Sequence, residues 1–168
     1  MTVRPDLVDV WIFRVLDEEP QVLMLHRAPG RILPGLWQGV SGKIEDGERI
    51  IEAALREVRE ETGITGAAIE RLYSLDFVAS FLWEPVDAVM TSVYFALRVR
   101  PDAEPALSHE HDDHRWLSIS DALAASVWPA YREGIERVRD CILHPERAPW
   151  FELPDDTGAV DWVLHCFG

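Results

Sequence analysis

Cysteine is scarce in this chain of 168 residues: it has two, Cys141 and Cys166, and no CxxC pair. That usage argues against a disulfide framework and suits a reducing, cytoplasmic setting. Each thiol reads as a small buried hydrophobe. Cations are few as well. Sixteen Lys and Arg stand against thirty Asp and Glu, a net charge of −14. A surface of that sign argues against wrapping a nucleic-acid polymer or lying on anionic lipid. It still admits a small anionic ligand if a metal ion neutralises the phosphates. Long uninterrupted apolar runs are missing. The opening "MTVRPDLVDVWIFRVL" carries charges inside its apolar stretch and reads as neither a signal peptide nor a membrane span. No internal repeat or low-complexity tract is visible.

What the chain does have is a hydrophobic content of 48% and seven tryptophans. That is enough for one folded domain spanning residues 1–168. The segments 7–16 and 21–28 read as a strand pair joined by the polar "DEEP". Residues 28–35 are punctuated by Pro and Gly as a loop, and "LWQGVSG" (36–42) reads as a short strand. From 48 to 62 the apolar spacing becomes helical, with Gly63 placed just past the C-terminus. Residues 68–83 and 87–100 read as longer strands, with a turn at 101–105 and one more strand at 114–119. Two helices follow, at 120–126 and 128–144, the first with Ser120 as its expected cap. The apolar, Trp-rich extension from about 145 to 168 is expected to pack on the domain or on a partner, and is compatible with a homodimer. Strands, one helix, strands and then helices make an α/β fold with a mixed sheet between helices.

The stretch "REVREETG" (56–63) crowds three glutamates onto one short helix. On a wheel of about 100° per residue with Ile50 at zero, Glu61 falls near 20°, Glu57 near −20° and Glu60 near −80°. The apolar residues fill a sector from 0° to about 140°. The carboxylates thus border the buried stripe rather than oppose it. Glu57 and Glu61 are a like-charge pair one turn apart. At about 6 Å and an effective dielectric of about 20, their repulsion is on the order of 3 kcal/mol before screening. A cation is one way to offset it.

The segment "GKIEDGERIIEAALREVREETGI" (42–64) resembles the signature of the Nudix hydrolases, G-x5-E-x7-R-E-U-x-E-E-x-G-U with U a bulky aliphatic. All nine specified positions match, from Gly42, Glu48 and Arg56 to Gly63 and Ile64. The resemblance implies an α/β/α sandwich and hydrolysis of a diphosphate linked to another moiety, with Mg²⁺ or Mn²⁺. It implies metal-holding roles for Glu57, Glu60 and Glu61, with the carbonyl of Ser41 and with Glu48 as further contributors. Arg56 is expected to orient glutamates, and Glu48 either reaches the cluster or holds Arg56. Hard carboxylate oxygens suit Mg²⁺ without any His or Cys cage.

Water attack at phosphorus needs a carboxylate to take the proton. Glu60 and Glu57 in the helix are candidates, and so is Glu110 in "SHEHDDHRWL" (108–117). His109, His111 and His114 in that run read as polar loop residues rather than as a zinc site. Arg27 and Lys43 are the expected phosphate contacts, and Trp37 and Phe81 the expected flat neighbours of a ring. "LWQGVSGKIEDGE", "EHDDHRWL" and "VWPAYREGIERV" are similar to the branch of the family that cleaves dATP and dihydroneopterin triphosphate to monophosphate and pyrophosphate. Two other readings stay open. One is a hydrolase of nucleotide sugars, ADP-ribose or dinucleoside polyphosphates; the other is a nucleotide-sensing regulator on the same fold.

Overall fold

Strand β1 (Leu7–Leu16) is apolar at nearly every position, the pattern of a strand covered on both faces. Its residues divide by alternation. Val8, Val10 and Ile12 join one buried cluster, whereas Trp11 and Phe13 join a second on the opposite face. The computed structural model, which describes residues 4–154, shows a seven-stranded sheet with helices on both faces. The first cluster packs beneath α1 (Ile50–Thr62). The second lies beneath α2 (Ile119–Ala125) and α3 (Pro129–Arg137), with a π-helical turn at Val138–Ile142. The expected α/β/α sandwich is thus observed.

The remaining strands are β2 (Glu19–Arg27), β3 (Trp37–Gln38), β4 (Val40–Lys43), β5 (Ile69–Trp83), β6 (Ala88–Val99) and β7 (His111–Ser118). β1 runs parallel to β6, and all other pairings are antiparallel. One edge of β1 is taken by β6. The other is shared: Leu7–Val10 pair with β4, and Phe13–Leu16 pair with β2. β2 likewise meets β1 at one end and β3 at the other, with β7 along its far edge. The sheet therefore splits where β1 and β2 diverge. The stretch expected as one strand at 36–42 bridges this split as two, β3 and β4, broken at Gly39. A Cβ on Gly39 would lie 2.9 Å from the Val10 carbonyl oxygen and 3.0 Å from the Trp11 ring, so the crossing requires glycine.

Three other expectations are corrected. β7 begins at His111 rather than 114, because cross-strand pairing with Arg27 to Gln21 outweighs the poor strand propensity of its charged residues. Helix α2 is capped by Ser118, whose Oγ accepts from the Asp121 N–H, and not by Ser120. The last expected helix ends early, giving way to the π-helical turn. Of the extension, Phe151 and Leu153 bond to the edge of β5 at Ser74 and Leu72. Residues 155–168, with Cys166, lie outside the described residues. Cys141 is a free, partly buried thiol.

Candidate active site

Helix α1 begins at Ile50 with a capping box, in which the Glu52 carboxylate accepts from the Arg49 N–H at 3.1 Å. It ends at Gly63, whose φ of 68° is the left-handed conformation that glycine adopts freely. Its buried residues are Ala53, Ala54, Val58, Glu61 and Thr62. On the wheel that arc centres near 30°, so Glu61 sits inside the buried stripe and not at its border.

Arg56 organises the acidic residues. It makes a two-toothed pair with Glu48, Nε to Oε1 at 2.7 Å and Nη2 to Oε2 at 3.0 Å. Its Nη1 reaches Glu57 at 2.7 Å and Glu60 at 3.3 Å, while Nη2 also donates to the Lys43 carbonyl at 2.8 Å. The Arg56 bond holds the Glu48 carboxyl down at about 2, helped by a backbone N–H from Glu45. Both oxygens of Glu48 are committed to these bonds. Glu57 moves the other way: burial raises it above the usual carboxylate range, Arg56 opposes the rise, and the charges of Glu60 and Glu110 add to it.

Glu61 is the outlier. It is 3% exposed, and neither carboxylate oxygen has a hydrogen-bond partner. The Ser41 backbone N–H lies near without reaching bonding geometry. Burial pushes the Glu61 carboxyl up to about 9, with the Glu57 and Glu110 charges adding and Arg27 opposing. A buried carboxylate facing two others without a donor is costly unless a cation compensates it. That orphaned pair of oxygens is what a hard divalent ion requires, so the residues present fit one. Among the described residues no group of three or more His, Cys, Asp or Glu side chains is arranged to hold a metal ion. Arg56 keeps Glu57 and Glu60 on its own fork.

Gly42 belongs to this cradle. It lies opposite Val8 on the α1 face of the sheet, and a Cβ there would fall 1.9 Å from the Glu57 carboxyl carbon. Gly42→Ala is therefore expected to keep its fold, displace the Glu57 carboxylate and lower kcat about 10–100-fold. Circular dichroism beside the product assay checks this. A fully active variant would show that the close approach has no part in the reaction.

Glu110 arrives from the loop before β7. Ala106 and Ser108 donate their N–H groups to the Thr62 and Glu61 carbonyls, tying that loop to the end of α1, and the Glu110 carbonyl accepts from the Ala28 N–H. Arg27 lies close enough to Glu61 and His111 for its charge to act on both. Lys43, opposite Leu7, shares with Ser41 and Asp9 the sheet face turned toward α3. Phe81 stands 40% exposed on β5. Trp37 has its own neighbours, packing at a tilt against His26 at 4.8 Å beneath the Arg115 guanidinium.

One neighbour of the acidic cluster is not evident from the sequence. His111, 4% exposed, has Nε2 3.2 Å from the Gln38 amide and 4.0 Å from Glu61. Burial, then Arg27, holds it down at about 4, so it is neutral at physiological pH. The available signal was the alternation of β7, which a run of acids and histidines conceals. His114 instead faces Glu104 at 3.8 Å.

The fold and the motif helix define a class, and the comparisons with known proteins give its chemistry: enzymes that act on pyrophosphate bonds and generally use divalent metal ions. The chain belongs to the NUDIX family, whose domain model matches residues 5–138. It is 30% identical over 140 residues to dihydroneopterin triphosphate diphosphatase of Escherichia coli K12, covering 77% of this chain and 90% of that one. The solved structure of the E. coli dihydroneopterin triphosphate pyrophosphohydrolase superposes with a TM-score of 0.67 at 29% identity, covering 80% of this chain and 94% of that one. An octanoyltransferase of Myxococcus xanthus is 32% identical over 130 residues, which are 77% of this chain but 35% of that protein. The chain thus matches only about a third of that transferase.

Proposed function

We propose that this chain is a Mg²⁺-dependent pyrophosphohydrolase of a nucleoside triphosphate or pterin triphosphate, releasing the monophosphate and pyrophosphate by attack of water at phosphorus. The observation that carries the reading is Glu61, a buried carboxylate with no donor, set against Glu57 and Glu110. The similarity to the E. coli diphosphatase along most of its length supports the substrate class.

Glu57, Glu60 and Glu61 would hold the metal, with the Ser41 carbonyl beside them. Their all-oxygen donor set favours Mg²⁺ and tolerates Mn²⁺. When bound, the ion supplies charge neutralisation at the phosphate oxygens and acidifies water. The side chains do the rest. Arg56 holds Glu57 and Glu60 in place, and Glu48 holds Arg56. Arg27 and Lys43 receive the phosphates. Glu110, kept near the cluster by the Ser108 and Ala28 bonds, takes the proton of the attacking water. Phe81 offers an exposed flat surface to the ring, and Trp37 serves at the rim.

Glu110→Gln is expected to lower kcat about 10²-fold with little change in KM. An unchanged kcat would return the base to Glu57 or Glu60 on α1. The reading as a whole is tested by chromatography of products formed with Mg²⁺ and no added phosphatase. The substrates are the nucleoside triphosphates, dihydroneopterin triphosphate, ADP-ribose, a nucleotide sugar and a diadenosine polyphosphate. Monophosphate plus pyrophosphate from a triphosphate is the expected result. Turnover confined to ADP-ribose, the sugar or the dinucleotide would overturn the substrate class, and binding without turnover would make the chain a sensor.

A further inference from the structure

Ser41 and Lys43 stand on β4 with their main-chain groups turned away from β1. Ile44, one residue past β4, donates to the Asp6 carbonyl at 3.1 Å. Counting back through the register, Gly42 with Val8 and Val40 with Val10 are the hydrogen-bonded pairs. Lys43 with Leu7 and Ser41 with Asp9 are the pairs without bonds. The N–H and C=O of Ser41 and Lys43 therefore point outward, toward the acidic cluster. Two contacts agree: the Lys43 carbonyl accepts from Arg56 Nη2 at 2.8 Å, and the Ser41 N–H lies close to Glu61. Among the described residues β4 pairs with β1 alone, so no second strand holds Ser41 from outside.

The grip on Ser41 comes from its side chain. In a pair without main-chain bonds the two Cα atoms approach to about 4.5 Å and the side chains meet. Here the neighbour is Asp9, a carboxylate 6% exposed that none of the steps above uses. Ser92 Oγ donates to its Oδ2 at 2.5 Å, and the Ser41 and Tyr94 hydroxyls donate to it as well. A carboxylate only accepts, so it takes all three at once, and an apolar residue in its place would leave them unpaired. Ser92 and Tyr94 are buried on β6 at the centre of the sheet, whereas Ser41 is half-buried on a strand of four residues. The constraint thus runs from the sheet centre through Asp9 to β4.

We propose that Asp9 is a positioning residue of the site. From the α3 face of the sheet its carboxylate holds the Ser41 hydroxyl, and so aims the Ser41 N–H and C=O at Glu61 and at the cation the cluster would hold. The inference rests on the reading of Glu57, Glu60 and Glu61 as that cluster and extends it to a residue on the far face. Groups that orient a ligand from behind commonly change metal affinity or activity about 10–100-fold when removed.

The test is a cycle of Asp9→Ala, Ser41→Ala and the double variant, with Mg²⁺ affinity read by calorimetry and kcat and KM by the product assay. Each single variant is expected to weaken Mg²⁺ about tenfold and to lower kcat about tenfold, with KM changed less than about twofold. The double variant should be no more than about twofold worse than either, because both changes cut one connection. Ser41→Thr keeps the hydroxyl and should recover most of what Ser41→Ala loses. If Asp9→Ala does not fold, Ser41→Ala and Ser41→Thr decide alone. Single variants with wild-type Mg²⁺ affinity overturn the proposal, as do losses that multiply in the double variant or a Ser41→Thr no better than Ser41→Ala. If no triphosphate is hydrolysed while Mg²⁺ affinity follows the expected pattern, the reaction assignment fails and the role of Asp9 stands.

Discussion

Glu61→Gln is expected to lower kcat/KM by on the order of 10³-fold and, in the same protein, to stabilise the metal-free fold at pH 8 by about 1–3 kcal/mol. The two effects have one origin. Glu61 lies inside the apolar stripe of α1 with both oxygens unpartnered, and its carboxyl is raised to about 9. Without metal, folding at pH 8 requires this group either to take up a proton or to bury an uncompensated charge. Glutamine removes that requirement, offset in part by leaving an amide unpaired in the same place. Denaturant titration in chelator, beside the product assay, measures both quantities. Loss of activity together with loss of stability would make Glu61 a packing residue, and wild-type turnover would remove it from the site.

The second large effect is on metal affinity. A group whose folded value is raised from 4.5 to about 9 contributes stability that is fully present below pH 4.5 and is lost as pH rises through about 9. The metal-free protein should therefore weaken steadily over that window. Asp9, raised by burial to about 6, adds a smaller loss of the same sign between about 4 and 6. A divalent ion competes with the Glu61 proton, so its affinity should climb up to about tenfold per pH unit from 6 to 9 and then level off. Titration calorimetry in two buffers of different ionisation heat counts the protons released, with about one expected. A pH-independent affinity with no proton release would separate the ion from Glu61.

The parts legible in sequence were those where one periodicity acts alone. The helix from Ile50 to Thr62 was visible because apolar spacing, motif glutamates and the terminal Gly63 all agree. β1, β2 and β6 were legible as strands from their runs of Val, Ile, Leu and aromatic residues, without regard to which face each side chain takes. Legibility failed where long-range pairing overrides local preference. The residues before His114 read as an acidic loop, yet pairing with β2 makes them strand from His111 and buries that residue beside Glu61. The break at Gly39 was hidden because the sequence cannot show that β3 and β4 answer to different partners. Ser118 outranks Ser120 as a cap because the strand runs directly into α2. Within the motif, Arg56 and Gly42 were identified from resemblance, and their physical basis emerged only with the Glu57 carboxylate seated between them.

The pairing of β1 with β6 and of β2 with β7 also orders events during synthesis. A ribosome makes α1, with all its glutamates, well before β6 and β7 leave it, because Leu7 must wait for Ser92 and Gln21 for Ser118. Until then β1 and β2 have each other along part of one edge and nothing on the far one. Closure over such long chain separations is slow. The desolvation of Glu61 falls late, when the loop carrying Glu110 is also in place.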